Sequence, residues 1–234
     1  QVSEDGMGKV LPVELFACDF VDGKDMGDLN RVISRWTEFM DESGEDSYAA
    51  WILTPYYYGA EQDFDVVWMG ASTDGNAMGQ GTHRWITEGG DIANGFAQVV
   101  DCRAHIGLGS AMYKAPSGEV TPASSIISMM DCEMNDDSRY SDVRSAEIKW
   151  AEYMTEQGSP AGTWHWFPNF GGGDQDYDYK VVTAYPSFVE FGKDWEMFAN
   201  GGGRAASMEI FDDVDDCDDA RVYVARSVRE AQLR

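Results

Sequence analysis

The hexapeptide Arg35-Trp36-Thr37-Glu38-Phe39-Met40 returns as Lys149-Trp150-Ala151-Glu152-Tyr153-Met154, and that return constrains the chain more than any other feature. Matching residues continue in the same register. Trp51 and Pro55 answer Trp164 and Pro168, Glu61-Gln62-Asp63-Phe64-Asp65 answers Asp174-Gln175-Asp176-Tyr177-Asp178, and Trp85 answers Trp195. The cysteines join it too: Cys18 and Cys132 stand 114 residues apart, as Trp36 and Trp150 do, and Cys102 and Cys217 stand 115 apart. A period this long means two domains of roughly 110 residues, not a solenoid. The sequence divides as 10–113 for the first domain, 114–123 for a linker rich in turn residues, and 124–230 for the second.

Within each copy the hydrophobic pattern gives the element order. Leu11 to Phe20 reads as a strand, and Met26, Leu29, Ile33, Trp36 and Met40 recur three or four apart, the stripe of an amphipathic helix. Tyr48–Tyr58 and Asp63–Ser72 read as paired strands, 70–81 as a glycine-rich loop, 82–98 as a helix broken at Gly89-Gly90, and Cys102–Met112 as a fourth strand. The second copy repeats the order with strands at Ser125–Cys132, Gly162–Phe170, Gln175–Tyr185 and Ala220–Ser227. Its helices run from Ser138 to Met154 and from a capping box at Ser187 and Glu190 to the glycines 201–203. Each copy is thus β-α-β-β-α-β, the split βαβ arrangement of ferredoxin-like domains, and the fold class is α+β. In that topology the fourth strand lies antiparallel beside the first, which brings Cys18 to Cys102 and Cys132 to Cys217. Two disulfides imply an oxidising compartment, periplasmic or extracellular; the alternative is four reduced core thiols.

Seventeen basic against forty-two acidic residues leave a formal charge of −25, which repels nucleic acid and anionic lipid head groups. An acidic, strongly solvated surface of the kind found in salty surroundings is the plain reading, and a cation store is the other. Hydrophobic residues at 43% with eight Trp, eleven Tyr and eleven Phe exclude a disordered chain, so these rings are buried or bind something. No apolar run reaches the length of a membrane span, and membrane insertion is not expected. A first residue Gln1 fits a mature protein after signal removal, and equally a trimmed chain.

A tandem pair of such domains, with strands apolar on both faces, resembles the dimeric α/β-barrel superfamily, here with one chain supplying both halves as a pseudo-dimeric barrel. The resemblance rests on element order and duplication over about residues 10–230. It implies two four-stranded sheets closed into a barrel with helices outside. The superfamily includes cofactor-free monooxygenases of the antibiotic-biosynthesis type, haem enzymes similar to chlorite dismutase, small-molecule isomerases and stress-responsive binding domains, so the resemblance leaves the chemistry open.

Polar residues present in one copy alone are the freer to serve function. His165 stands opposite Ile52, in the aromatic strand Trp164-His165-Trp166-Phe167-Pro168-Asn169-Phe170. The expected site is a second-domain pocket of Trp164, His165, Trp166, Asn169 and Tyr185, with the imidazole flanked by two indoles and serving as acid or base; the plain alternative is a core histidine. Tyr56-Tyr57-Tyr58 is expected to fill the matching space in the first domain. His83 and His105 are single, so neither a zinc site nor any cofactor is expected. Asp174, Asp176 and Asp178 imitate a calcium loop without its glycine or closing glutamate. The run 212–219 offers Asp213, Asp215 and Asp216 as weak cation ligands against a solvated acidic turn. No phosphate loop, nucleophile elbow or dinucleotide fingerprint occurs. Three functions compete: an exported binder of a small, largely apolar or aromatic molecule, a cofactor-free monooxygenase- or isomerase-type enzyme, and a self-assembling structural subunit.

Overall fold

The computed structural model describes residues 9–117, 125–173, 175–211 and 213–231. Its elements are β1 (Leu11–Phe20), α1 (Met26–Glu42), β2 (Tyr48–Tyr57), β3 (Val66–Ser72), α2 (Gly75–Glu88), α3 (Gly90–Ala97) and β4 (Val100–Lys114). Then follow β5 (Ser125–Met134), α4 (Tyr140–Glu156), β6 (Gly162–Phe170), β7 (Tyr179–Tyr185), α5 (Phe188–Asn200), α6 (Gly203–Ile210), β8 (Asp215–Cys217) and β9 (Arg221–Arg229).

Eight of these strands close on themselves in the order β7-β6-β4-β1-β3-β2-β9-β5, with β5 returning to β7. Every pairing is antiparallel. Closure leaves no free sheet edge within the barrel, and the three-residue β8 adds a short flap on β5. Two joints tie the halves: β2 pairs with β9, and the 15-residue β4, paired with β1 as far as Ser110, pairs along its other edge with β6 from Gly107 to Lys114.

Alternation along the strands sorts the side chains into two layers. Leu15, Leu53, Met69, Leu108, Ile127, Met129, Trp166 and Tyr223 fill the lumen. On the outer face of the first half, Leu29, Val32 and Ile33 of α1 pack over Cys18, Ile52, Val66 and Val100. The helix starts at Asp25, whose side chain accepts from the amides of Gly27 (2.8 Å) and Asp28 (3.0 Å), and Asp28 answers onto the Asp25 amide. Burying each large side chain of its stripe contributes about 1.5–3 kcal/mol.

Both disulfides form as the topology requires, Cys18 with Cys102 and Cys132 with Cys217. Cys217, however, lies on β8 and not on the final strand, because the segment that runs unbroken as β4 in the first half is split into β8 and β9 in the second. Other boundaries differ for local reasons. The stretch 75–81 is helical despite its glycines, since Asp74 caps α2 by accepting from the Ala77 amide. Gly89 does break the following helix, and the glycines after Asn200 open α6, an element the sequence pattern did not suggest. Ser187 caps α5 through the Glu190 amide, one side of the expected box. Most of the linker expected at 114–123, with Asp174 and Asp212, lies outside the described residues.

Candidate functional site

His165 is fully buried, but not between indoles. Successive strand residues face opposite ways, so Trp164 and Trp166 turn into the lumen while His165 turns outward under α4. There its Nε2 lies 3.0 Å from Glu147 Oε1, and Nδ1 lies 3.5 Å from the Tyr140 hydroxyl. Tyr140 in turn shares a hydrogen bond with the Tyr113 hydroxyl at the end of β4. The ring is enclosed by Tyr113 and Tyr179, whose centroids are 4.3 and 4.6 Å away. Tyr179 donates its hydroxyl hydrogen to Asp215 on β8.

The register shows what these six residues replace. Cys18 pairs with Val66 as Cys132 pairs with Tyr179; Ile52 pairs with Trp68 as His165 pairs with Val181; Phe20 pairs with Val100 as Met134 pairs with Asp215. The caps Asp25 and Arg139 align Met26 with Tyr140 and Ile33 with Glu147. Tyr113 matches Val228, which packs against the first half's outer core. Met26, Ile33, Ile52, Val66, Val100 and Val228 thus give way to Tyr140, Glu147, His165, Tyr179, Asp215 and Tyr113. At these six positions the first helix–sheet layer is apolar, and its counterpart holds a connected polar cluster.

Such a substitution is costly, because a polar group taken out of water without full compensation loses on the order of 2–7 kcal/mol. Compensation here is incomplete. His165 Nε2 and Glu147 Oε2 both lack a hydrogen-bond partner although their residues are at most 3% exposed. The close Nε2–Oε1 approach is not aligned as a hydrogen bond. The phenols, by contrast, are held protonated. Burial first, then the bond to Tyr113, drives the Tyr140 pKa far up, and burial followed by the bond to Asp215 does the same to Tyr179. Tyr113 is raised chiefly by burial. Burial also raises the Asp215 carboxyl, with the Tyr179 hydroxyl and His165 pulling the other way. Hydrogen bonds link Tyr113, Tyr140 and His165 into one line, and two buried polar atoms beside it, His165 Nε2 and Glu147 Oε2, stay unmatched.

The other expected site residues do not converge on His165. Tyr185 lies four residues beyond Val181, the β7 partner of His165, and packs edge-on to Phe191 of α5 at 5.2 Å between centroids. Asn169 is exposed at the far end of β6, beside Gly109. Tyr56, Tyr57 and Tyr58 fill no cavity and stand 52–61% exposed, because the pairing of β2 is ending there. Asp213 and Asp216 point to solvent, Asp215 serves Tyr179, and no group of three metal-ligating residues occurs among the described residues. Glu147, Tyr140, Tyr113 and Tyr179 were missed by the sequence reading. The signal was available in the repeat, by comparing every inward position of the two copies and not the strand alone.

No protein-family profile and no curated protein matches the sequence. Solved structures do. A mutant chlorite dismutase from Candidatus Nitrospira defluvii superposes with a TM-score of 0.55 at 7% identity, covering 94% of each chain. A heme-binding protein from Thermus thermophilus gives 0.53 at 11% identity, covering 94% of this chain and 92% of that one. An anthrone oxidase-like protein gives 0.53 at 10%, covering 97% and 96%. At such identities the likeness establishes the α/β-barrel fold and nothing finer. A haem does not fit His165 as an axial ligand: both ring nitrogens face protein oxygens, and tyrosine rings cover the imidazole.

Proposed function

We propose that the chain binds a small, largely aromatic molecule between the sheet and helices of its second half, against the cluster centred on His165 and Glu147. The observation that carries this reading is the replacement of six apolar core positions by a buried polar cluster with two unmatched atoms. Aromatic walls come from Tyr113, Tyr140, Phe167 and Tyr179. On this reading 10–113 and 124–230 are copies of one ferredoxin-like unit, and the first lends the site Tyr113. The two disulfides favour export to the periplasm or beyond.

A second reading, proton transfer on that molecule without a cofactor, is favoured by the chain from Tyr113 through Tyr140 to His165, with Glu147 beside the imidazole. Barrel neighbours that include an anthrone oxidase-like protein and a chlorite dismutase support a small-molecule site in general terms. Native mass spectrometry of the gently purified protein tests the binding claim. The wild type retains a small-molecule adduct that His165→Ala loses; equal occupancy in both removes His165 from the site.

A further inference from the structure

On the outer face of the first half, Glu14 stands in a cross-strand row between two glycines, Gly70 of β3 and Gly107 of β4. Each glycine makes room for a ring. A Cβ on Gly70 would lie 1.8 Å from the Tyr48 hydroxyl oxygen, and one on Gly107 would lie 2.8 Å from the ring of Phe170. Tyr48 accepts from Trp68 Nε1 (3.0 Å) and donates to Glu14 Oε1 (2.6 Å). The other carboxylate oxygen lies 2.8 Å from His105 Nε2. The imidazole itself lies flat on Phe16, centroids 3.7 Å apart and planes within 14°.

A connected line therefore runs from half-buried Trp68 through Tyr48 and Glu14 to an imidazole that is 54% exposed. A carboxylate only accepts, so Nε2 carries the hydrogen, and in the neutral ring Nδ1 keeps the lone pair. An exposed histidine–glutamate contact adds little stability. Its value lies in orientation, because both oxygens of Glu14 are engaged and Phe16 fixes the ring plane. Burial keeps the Tyr48 phenol protonated as a donor, which steadies Glu14 further. The second half has no counterpart, since Ser128 matches Glu14 and Thr183 matches Gly70.

We propose that this is a second, solvent-facing site in which His105 Nδ1 acts as general base on a planar aromatic carbon acid lying against the exposed ring of Phe170. His105 is the catalytic residue; Glu14 and Tyr48 are positioning residues that fix its tautomer and direction. In the step, Nδ1 takes the carbon-bound proton, the C–H electrons form a new π bond, and the bond to an adjacent heteroatom breaks with its pair leaving on that atom. The imidazolium beside Glu14 then returns its proton to water. This site is independent of the His165 cluster, and either can fail alone.

The probe is a nitrobenzisoxazole, which loses its ring C–H proton and opens at the N–O bond to a coloured cyanonitrophenolate. His105→Ala is expected to lower kcat/KM about 100-fold, and Glu14→Gln and Tyr48→Phe to lower kcat about tenfold with KM unchanged. His83→Ala, a solvent-exposed histidine of α2, keeps the full rate. Imidazole NMR is expected to show the Nε2–H tautomer at His105 in the wild type and a mixture in Glu14→Gln. Equal rates for wild type and His105→Ala, or an unchanged kcat in Tyr48→Phe, would overturn the proposal. So would a loss in His83→Ala as large as in His105→Ala.

Discussion

His165 lies 3.0 Å from Glu147, and the two occupy the places that Ile52 and Ile33 fill in the first half. A protein optimised for stability alone has no reason to make that exchange, since a buried ionisable pair rarely outperforms well-packed aliphatic side chains.

Removing one partner strands the other. His165→Ala and Glu147→Ala are each expected to cost about 3–5 kcal/mol, whereas the double variant His165→Ile with Glu147→Ile falls within about 1 kcal/mol of the wild type or exceeds it. Denaturant midpoints at constant m-value check this. A double variant that loses the sum of the two single losses contradicts it.

Asp215 gives a pH dependence with a definite sign. Burial raises its carboxyl above the ordinary 3.8, so the folded state keeps that proton to higher pH than the unfolded chain does. The group therefore favours folding below the ordinary value, and the advantage is lost as pH rises from there toward the raised one. Asp215→Asn, which still offers Tyr179 an acceptor, should gain in Tm relative to wild type across that rise and hold the gain above it. A difference that does not change with pH argues against a raised carboxyl.

The disulfides are not equivalent. Serine replacement of either pair should cost about 2–5 kcal/mol. Loss of Cys132–Cys217 should also free β8, which among the described residues pairs with β5 alone, and with it Asp215. Amide exchange is expected to quicken at 215–217 in that variant alone, while β9 stays protected by β2 and β5. Equal protection of β8 in both variants would show that strand pairing suffices.

Trp36 and Trp150 look alike in sequence and differ in place. Trp36 is 5% exposed and meets Trp68 edge-on at 4.7 Å, whereas Trp150 is only half-buried and stacks on Tyr153. Trp36→Ala is expected to cost about 3–5 kcal/mol and Trp150→Ala less than half of that by the same unfolding measurement. Equal losses would mean that the second helix layer is packed as tightly as the first.

How much of this was legible in the sequence follows from what a repeat can carry. It carried the order of the eight barrel strands and of α1, α4 and α5, though not α6 or β8, the partners of Cys18 and Cys132, and the interest of His165 against Ile52. Facing was misjudged at Trp164 and Trp166, because a strand with apolar residues on both sides gives no alternation by which to tell lumen from outer layer. Glu147 was hidden by its setting, since a single glutamate on an amphipathic helix is ordinarily taken as solvent-facing. Tyr113 was out of reach for another reason: it belongs to the first half in sequence and enters the second half only when β4 crosses to β6.

The most direct measurement is a titration of naphthol into protein with isotope-labelled histidine, followed through the three imidazole signals. The account predicts a saturable shift at His165, none at His83, and loss of the His165 shift in Glu147→Ile. An unmoved His165 signal at saturating naphthol, or an undiminished shift in Glu147→Ile, would contradict it.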